Sequence, residues 1–213
     1  MKRRDFSMAA AGIAAFAPLA WAQGKKPEDG IEYRTLNKPV AIEAPPGKVE
    51  VVNFFWYSCP HCYAFEPALQ AWMQRLPPDI SLRRIPANFR DEMVPQQRMF
   101  YALEAMGKVE ELQVKIFDAI HKDRVELTRL PVMADWVAKQ GVDAQKFSEL
   151  YSSFAMSAKA RRATEVQDAY GVEGVPSFGI AGRWYTDRDL TTGNNPRMVQ
   201  VVEYLAAQAR KTR

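Results

Sequence analysis

The chain has 213 residues, 47% hydrophobic and 25% charged, with two cysteines, two histidines and a net charge of +4 at pH 7. That length suits one domain, or one domain carrying an insertion, and the apolar content is ample for a real core. Half of the net charge sits in the first five residues and no long run of one sign follows, which excludes the electrostatic footprint of a nucleic-acid binder. In chain order, Lys2, Arg3 and Arg4 precede an Ala-rich run from Met8 and the small-residue site Ala20-Trp21-Ala22. This is the layout of a cleavable secretory signal over residues 1–22. The run is too short and too rich in Ala and Gly to span a membrane. Arg3-Arg4-Asp5-Phe6 also resembles a twin-arginine signal, although Ser7-Met8 does not continue it. The expected destination is an oxidising compartment, the periplasm.

A short strand is expected within 33–40 and a buried one over 48–57, where Val51, Val52, Phe54, Phe55 and Trp56 are nearly continuous. From Cys59 the spacing of Tyr63, Leu69, Trp72, Met73 and Leu76 is helical, with Pro67 placed to kink the helix and Pro77-Pro78-Asp79 ending it. A further strand over 80–85 makes a strand-helix-strand unit and favours a parallel pair. Helical periodicity then takes over for 94–106, 109–121, 130–140, 144–153 and 158–170, with Gly107 and Gly141 at helix ends. Strands return at 177–181 and 184–186 around Ala181-Gly182-Arg183. A last helix starts at Pro196, after Asn194-Asn195, and runs to about Ala209. The pattern is an α/β unit in two parts, 23–90 and 166–213, split by an all-helical insertion over 91–165.

Both cysteines, Cys59 and Cys62, stand where the buried strand gives way to the first helix. A structural staple gains from the size of the loop it closes, and a two-residue spacer closes almost nothing. A zinc site needs about four ligands. This chain offers Cys59, Cys62, distant His121, and a His61 sandwiched between the thiols. A catalytic dithiol accounts for the location better, because a helix N-terminus presents unpaired N–H groups and a positive dipole end to the first sulfur. Pro60 supports the tight turn and helix start, and His61 adds a donor or positive charge beside Cys59.

The segment from Phe54 to Tyr63, containing Cys59-Pro60-His61-Cys62, resembles the active-site segment of the DsbA family of periplasmic thiol:disulfide oxidoreductases. Gly171 to Phe178, with Gly174-Val175-Pro176, is similar to that family's cis-proline loop, and Ala87-Asn88-Phe89 closes the second strand as in the family. The resemblance covers essentially all of the chain after the signal. It implies a thioredoxin-like fold with an inserted all-helical subdomain, no cofactor, and a redox-active disulfide between Cys59 and Cys62. By the same resemblance Cys59 forms mixed disulfides, Cys62 is the buried partner, and His61 stabilises the Cys59 thiolate. Val175–Pro176 is expected to be a cis peptide facing the disulfide, with the Val175 backbone pairing with substrate main chain. The implied partners are folding exported proteins with free cysteines and a DsbB-type, quinone-linked inner-membrane reoxidase. A monomer is expected, and no separate dimerisation domain precedes the redox unit, which argues against the usual dimeric isomerase.

One position departs from the family pattern. Asn53 stands where a buried acid is common, and Arg84 where a lysine paired with that acid is expected, which puts the proton route to Cys62 in question. Glu50 is nearby without a strand-alternation argument pointing it at Cys62. Trp56, Tyr57, Tyr63, Phe65 and Trp72, and Met93, Met99, Met106, Met133 and Met156, read first as core rather than as a substrate groove. His121 is expected to meet the last carbonyls of its helix, and Asn194-Asn195 only to start the last one. A disulfide reductase or isomerase, and a peptide-binding chaperone with an incidental redox pair, are the rival readings.

Overall fold

The computed structural model describes residues 25–212, so the signal read at 1–22 lies outside the described residues. In chain order the elements are β1 (Arg34–Thr35), β2 (Val49–Phe55), α1 (Pro60–Met73) and β3 (Ile80–Pro86). After a 3-10 turn at Asp91–Met93 come α2 (Val94–Ala105), α3 (Val109–His121), α4 (Leu130–Lys139), α5 (Ala144–Ser152) and α6 (Phe154–Tyr170). β4 (Ser177–Ile180), β5 (Trp184–Asp187) and α7 (Asn195–Lys211) complete the chain. The five strands form one sheet in the order β1-β5-β4-β2-β3, with β2 and β3 parallel and the other neighbours antiparallel.

Every residue of β2 is buried. Such a strand needs cover on both faces, and the chain supplies two different covers. On one face Val49 and Val51 meet Phe65, Leu69 and Trp72 of α1 and Met198, Val202 and Leu205 of α7. On the other, Val52 and Phe54 meet Phe100, Leu112 and Phe117 of the inserted helices and Val166 and Tyr170 of α6. Each of these large apolar side chains contributes about 1.5–3 kcal/mol by leaving water. Of the Met residues expected in the core, Met93, Met99, Met133 and Met156 are buried, and Met106 is half-buried against the same side chains. Helix α6 runs unbroken across 165, so a single rigid element carries the chain from the insertion back to the sheet.

Three local expectations differ from the structure. The strand expected over 33–40 shrinks to two residues paired with Tyr185 and Trp184. Pro39 has no N–H to donate, and the chain continues as single contacts from Leu36 and Val40 to the β4–β5 turn. Helix α6 begins four residues early, because Ser153 caps it by accepting from the Met156 N–H at 3.3 Å. The apolar period did not reveal that start, since Phe154 points into solvent at 80% exposure. Asn195 does more than begin α7: its Nδ2 donates to the Ala64 carbonyl at 3.1 Å, tying the last helix to the turn of α1 that contains Pro67.

Gly179 lies at the centre of β4, opposite Val52, with the Tyr170 ring resting directly on its Cα. A Cβ here would overlap that ring. Gly179→Ala is expected to lower the unfolding free energy by about 1–3 kcal/mol in urea denaturation, the usual cost of overpacking. Unchanged stability would mean that the Tyr170 ring is not held where the fold places it.

Candidate active site

Strand β2 ends at Phe55, and residues 56–59 turn into α1 with the Cys59 N–H donating to the Trp56 carbonyl at 3.1 Å. Pro60 takes the first helical position, where its fixed φ fits and no hydrogen bond is lost. Cys59 is therefore the N-cap, in extended backbone (φ −80°, ψ 117°). A cap normally offers a side-chain oxygen to the exposed N–H groups. Here the acceptor is sulfur: Cys59 Sγ receives the Cys62 N–H at 3.4 Å. Cys59 is 8% exposed and Cys62 2%, and both are free thiols.

The same geometry separates their acidities. A hydrogen bond from the Cys62 thiol lowers the Cys59 pKa most, followed by the backbone N–H groups of Cys62 and His61 and the charge of Arg188. Against the opposing effect of burial, these bring Cys59 from an ordinary 9.0 down to about 7. Burial pushes the Cys62 thiol well above 9.0, and its position as donor to Cys59 adds to that. His61 acts on the sulfur through its backbone N–H, while its imidazole is exposed on the first turn of α1. Of the donor or positive charge expected from His61, the structure supplies the donor.

Across from the cap lies the loop before β4. Its Val175–Pro176 peptide is cis, and the Val175 carbonyl accepts from Cys59 Sγ at 3.5 Å. His61, Val175 and Pro176 share an open cleft of about 690 Å³ with Arg34, Glu173 and Arg188. The structure thus gathers Cys59, Pro60, His61, Cys62, Val175 and Pro176 at one end of the sheet, although more than a hundred residues separate the two segments.

Beneath α1, Asn53 is 1% exposed; its Nδ2 makes long contacts of 3.4 Å to the Phe54 and Ser177 carbonyls. Its Oδ1 has no hydrogen-bond partner among the described residues. Arg84, its cross-strand neighbour, pairs in bidentate fashion with Glu66 at 2.8 and 2.9 Å. The sequence reading did not single out Glu66, one helical turn after Cys62 on α1, although the i, i+4 spacing was visible. Glu50 points to the opposite face of β2, where it accepts from the Glu43 N–H at 2.9 Å.

His121 does not meet its own helix end. Its ring stacks on Tyr63 with centroids 4.7 Å apart, and its Nε2 donates to the Tyr57 carbonyl at 2.9 Å. Tyr63 in turn donates to Asp118 at 2.8 Å. The imidazole thus lies against the flat ring of Tyr63, next to Cys62 in the chain, instead of at its own helix terminus. Arg188 and Gln96 were also missed, because each belongs to a segment far from the cysteines and carries no local signal.

Comparison with known proteins gives the same picture. The family described as DSBA-like thioredoxin domain matches residues 50–206. The thiol:disulfide interchange protein DsbA of Burkholderia cepacia is 38% identical over 199 residues, 93% of this chain and 91% of its own. The DsbA protein of Azotobacter vinelandii is 39% identical over 203 residues, 94% of each chain. The crystal structure of Pseudomonas aeruginosa DsbA superposes with a TM-score of 0.81 at 38% identity, covering 86% of this chain and 94% of that one. A two-part α/β unit with a helical insertion, its reactive dithiol capping the first helix, is thus the thioredoxin-like DsbA arrangement, and the chain belongs to the DsbA-like family of thiol:disulfide oxidoreductases.

Proposed function

We propose that this oxidoreductase works as a periplasmic dithiol oxidase, passing a Cys59–Cys62 disulfide to exported proteins as they fold. The observation that carries the reading is the Cys59 sulfur at the cap of α1, held at a pKa of about 7 and facing the Val175 carbonyl. A substrate thiolate attacks Cys59, forming a substrate–Cys59 disulfide as the Cys59–Cys62 bond breaks. The Cys62 sulfur leaves with the electron pair and takes a proton, as its buried environment favours. A second substrate thiolate then attacks the substrate sulfur and expels Cys59 as a thiolate. The substrate has lost two electrons and the enzyme has gained them. A stabilised thiolate is a good leaving group, which favours the dithiol form of the enzyme and moves the couple in the oxidising direction.

Around the sulfurs, Val175 is suited to pair its backbone with an extended substrate segment, and Pro176 and His61 shape the cleft that receives it. Among the described residues no helix is long and apolar enough to cross a membrane. Reoxidation is assigned to a quinone-linked inner-membrane protein of the DsbB type, acting on Cys59 by the same exchange. The protein is proposed to act as a monomer.

Incubated with a peptide carrying two cysteines, the oxidised protein should form the peptide disulfide stoichiometrically, and Cys59→Ala should abolish this. Peptide capture that survives Cys59→Ala, with no oxidation by the wild type, would identify a binding module instead. In the reduced protein, thiolate absorbance against pH should give a midpoint for Cys59 near 7. Cys62→Ala removes the strongest donor and should raise that midpoint, while Cys62→Ser keeps a donor and should lie between. A wild-type midpoint at the ordinary thiol value of about 9 would contradict the reading.

Stability should follow the two thiols with opposite signs. Cys59 is more acidic folded than unfolded, so its ionisation stabilises the reduced fold fully above about 9.0, and this is lost as pH falls through about 7. Cys62 is less acidic folded, so it costs stability once pH rises past 9.0. A disulfide across two residues restrains the unfolded chain little. The melting temperature of the reduced protein relative to the oxidised should therefore climb from about pH 6 to about pH 9 and turn over beyond. A flat or falling difference across that window would show that Cys59 is not stabilised as its ion.

A further inference from the structure

The turn at 56–59 that delivers Cys59 to the helix cap is gripped from outside the sheet. Its closing bond runs from the Cys59 N–H to the Trp56 carbonyl at 3.1 Å. Its central peptide joins Tyr57 to Ser58, and both ends of that peptide are taken by the helical insertion. The Tyr57 carbonyl accepts from His121 Nε2 at 2.9 Å, and the Ser58 N–H donates to Gln96 Oε1 at 3.2 Å. Gln96 Nε2 donates to Ser58 Oγ at 2.7 Å and to the Leu127 carbonyl at 3.1 Å. Gln96 is only 2% exposed, in the first turn of α2, so water does not compete for its amide.

The central peptide is the one whose orientation distinguishes the two common turn types. If it rotates, the backbone entering Cys59 rotates with it. Downstream there is little to absorb the change: a residue before proline is confined to extended backbone, and Pro60 fixes the first helical position. The Sγ contact to the Cys62 N–H is 3.4 Å, and hydrogen bonds weaken steeply with misalignment. A modest turn of the cap therefore removes the N–H groups from the sulfur.

We propose that Gln96 is a positioning residue of the exchange reaction: by locking the Tyr57–Ser58 peptide it holds the Cys59 sulfur over the start of α1. The groups that act on Cys59 are the Cys62 thiol, the backbone N–H groups of Cys62 and His61 on α1, and the charge of Arg188 before α7. Gln96 and Ser58 carry no charge, so replacing them alters the thiol only through geometry. The inference rests on Cys59 being the attacked sulfur. Its readout needs no substrate, so either idea can fail without the other.

The test is the thiolate absorbance of the reduced protein against pH, with thermal unfolding recorded alongside. Gln96→Met keeps the side-chain length and removes its hydrogen-bonding atoms. It is expected to raise the Cys59 midpoint by about half a pH unit or more, a roughly threefold loss of thiolate preference. Ser58→Ala, which loses only the 2.7 Å contact, should move the midpoint the same way by less. The double variant should move it no further than Gln96→Met alone. A lowered melting temperature with an unmoved midpoint would reduce Gln96 to a structural role and overturn the proposal. If Gln96→Met does not fold, Ser58→Ala decides: an upward shift supports the proposal and an unchanged midpoint refutes it.

Discussion

The contact between the Cys59 sulfur and the Cys62 N–H, at 3.4 Å, couples the fold of this protein to its chemistry. A helix start leaves N–H groups that must find an acceptor, and in most proteins a serine or aspartate supplies one. Placing a thiol there lets the helix end stabilise a sulfur anion. The same helix carries Cys62 one turn inward, where burial disfavours its ion. Two identical side chains three residues apart thus become unequal, one poised to be attacked and to leave, the other to take up a proton.

Much of the remaining structure serves to hold that cap still. The buried strand β2 aims the turn, and its two faces are covered by different parts of the chain. The aromatic ladder of Phe55, Tyr57, Phe117 and Tyr63, with centroids 5.0 to 6.2 Å apart, joins the insertion to the residues on either side of the dithiol. Tyr57 is fully buried and donates to Gln113 of α3 at 2.8 Å, so even the ring before the turn is fixed at its polar end. The insertion is in this sense part of the active site's foundation.

What was legible in the sequence follows from range. The β2 run, the proline after Cys59 and the helical spacing to Leu76 are local signals, and they placed the dithiol at a strand-to-helix junction correctly. The cis-proline loop was legible only through resemblance, since nothing in Val175-Pro176 alone distinguishes it from an ordinary proline before a strand. The contacts of Gln96, His121 and Arg188 were not legible, because each depends on packing between segments tens of residues apart. The expectation for His121 failed for that reason: its helix end was read locally, while the ring's partners are Tyr63 and the Tyr57 carbonyl. Asn53 is the reverse case: flagged in the sequence, it proves buried, its Oδ1 has no partner among the described residues, and the buried carboxylate that acts on Cys62 is that of Glu66, held by Arg84.

The central claim is that stabilising the Cys59 ion makes this dithiol a poor electron donor and its disulfide a ready oxidant. Equilibration with mixtures of reduced and oxidised glutathione tests this most directly, because it weighs both redox forms of the protein without a substrate or a membrane partner. The account predicts that the protein remains largely reduced in mixtures where oxidised glutathione exceeds the reduced form. A protein that stays oxidised when reduced glutathione is in large excess would contradict it, and would make this dithiol a reductant.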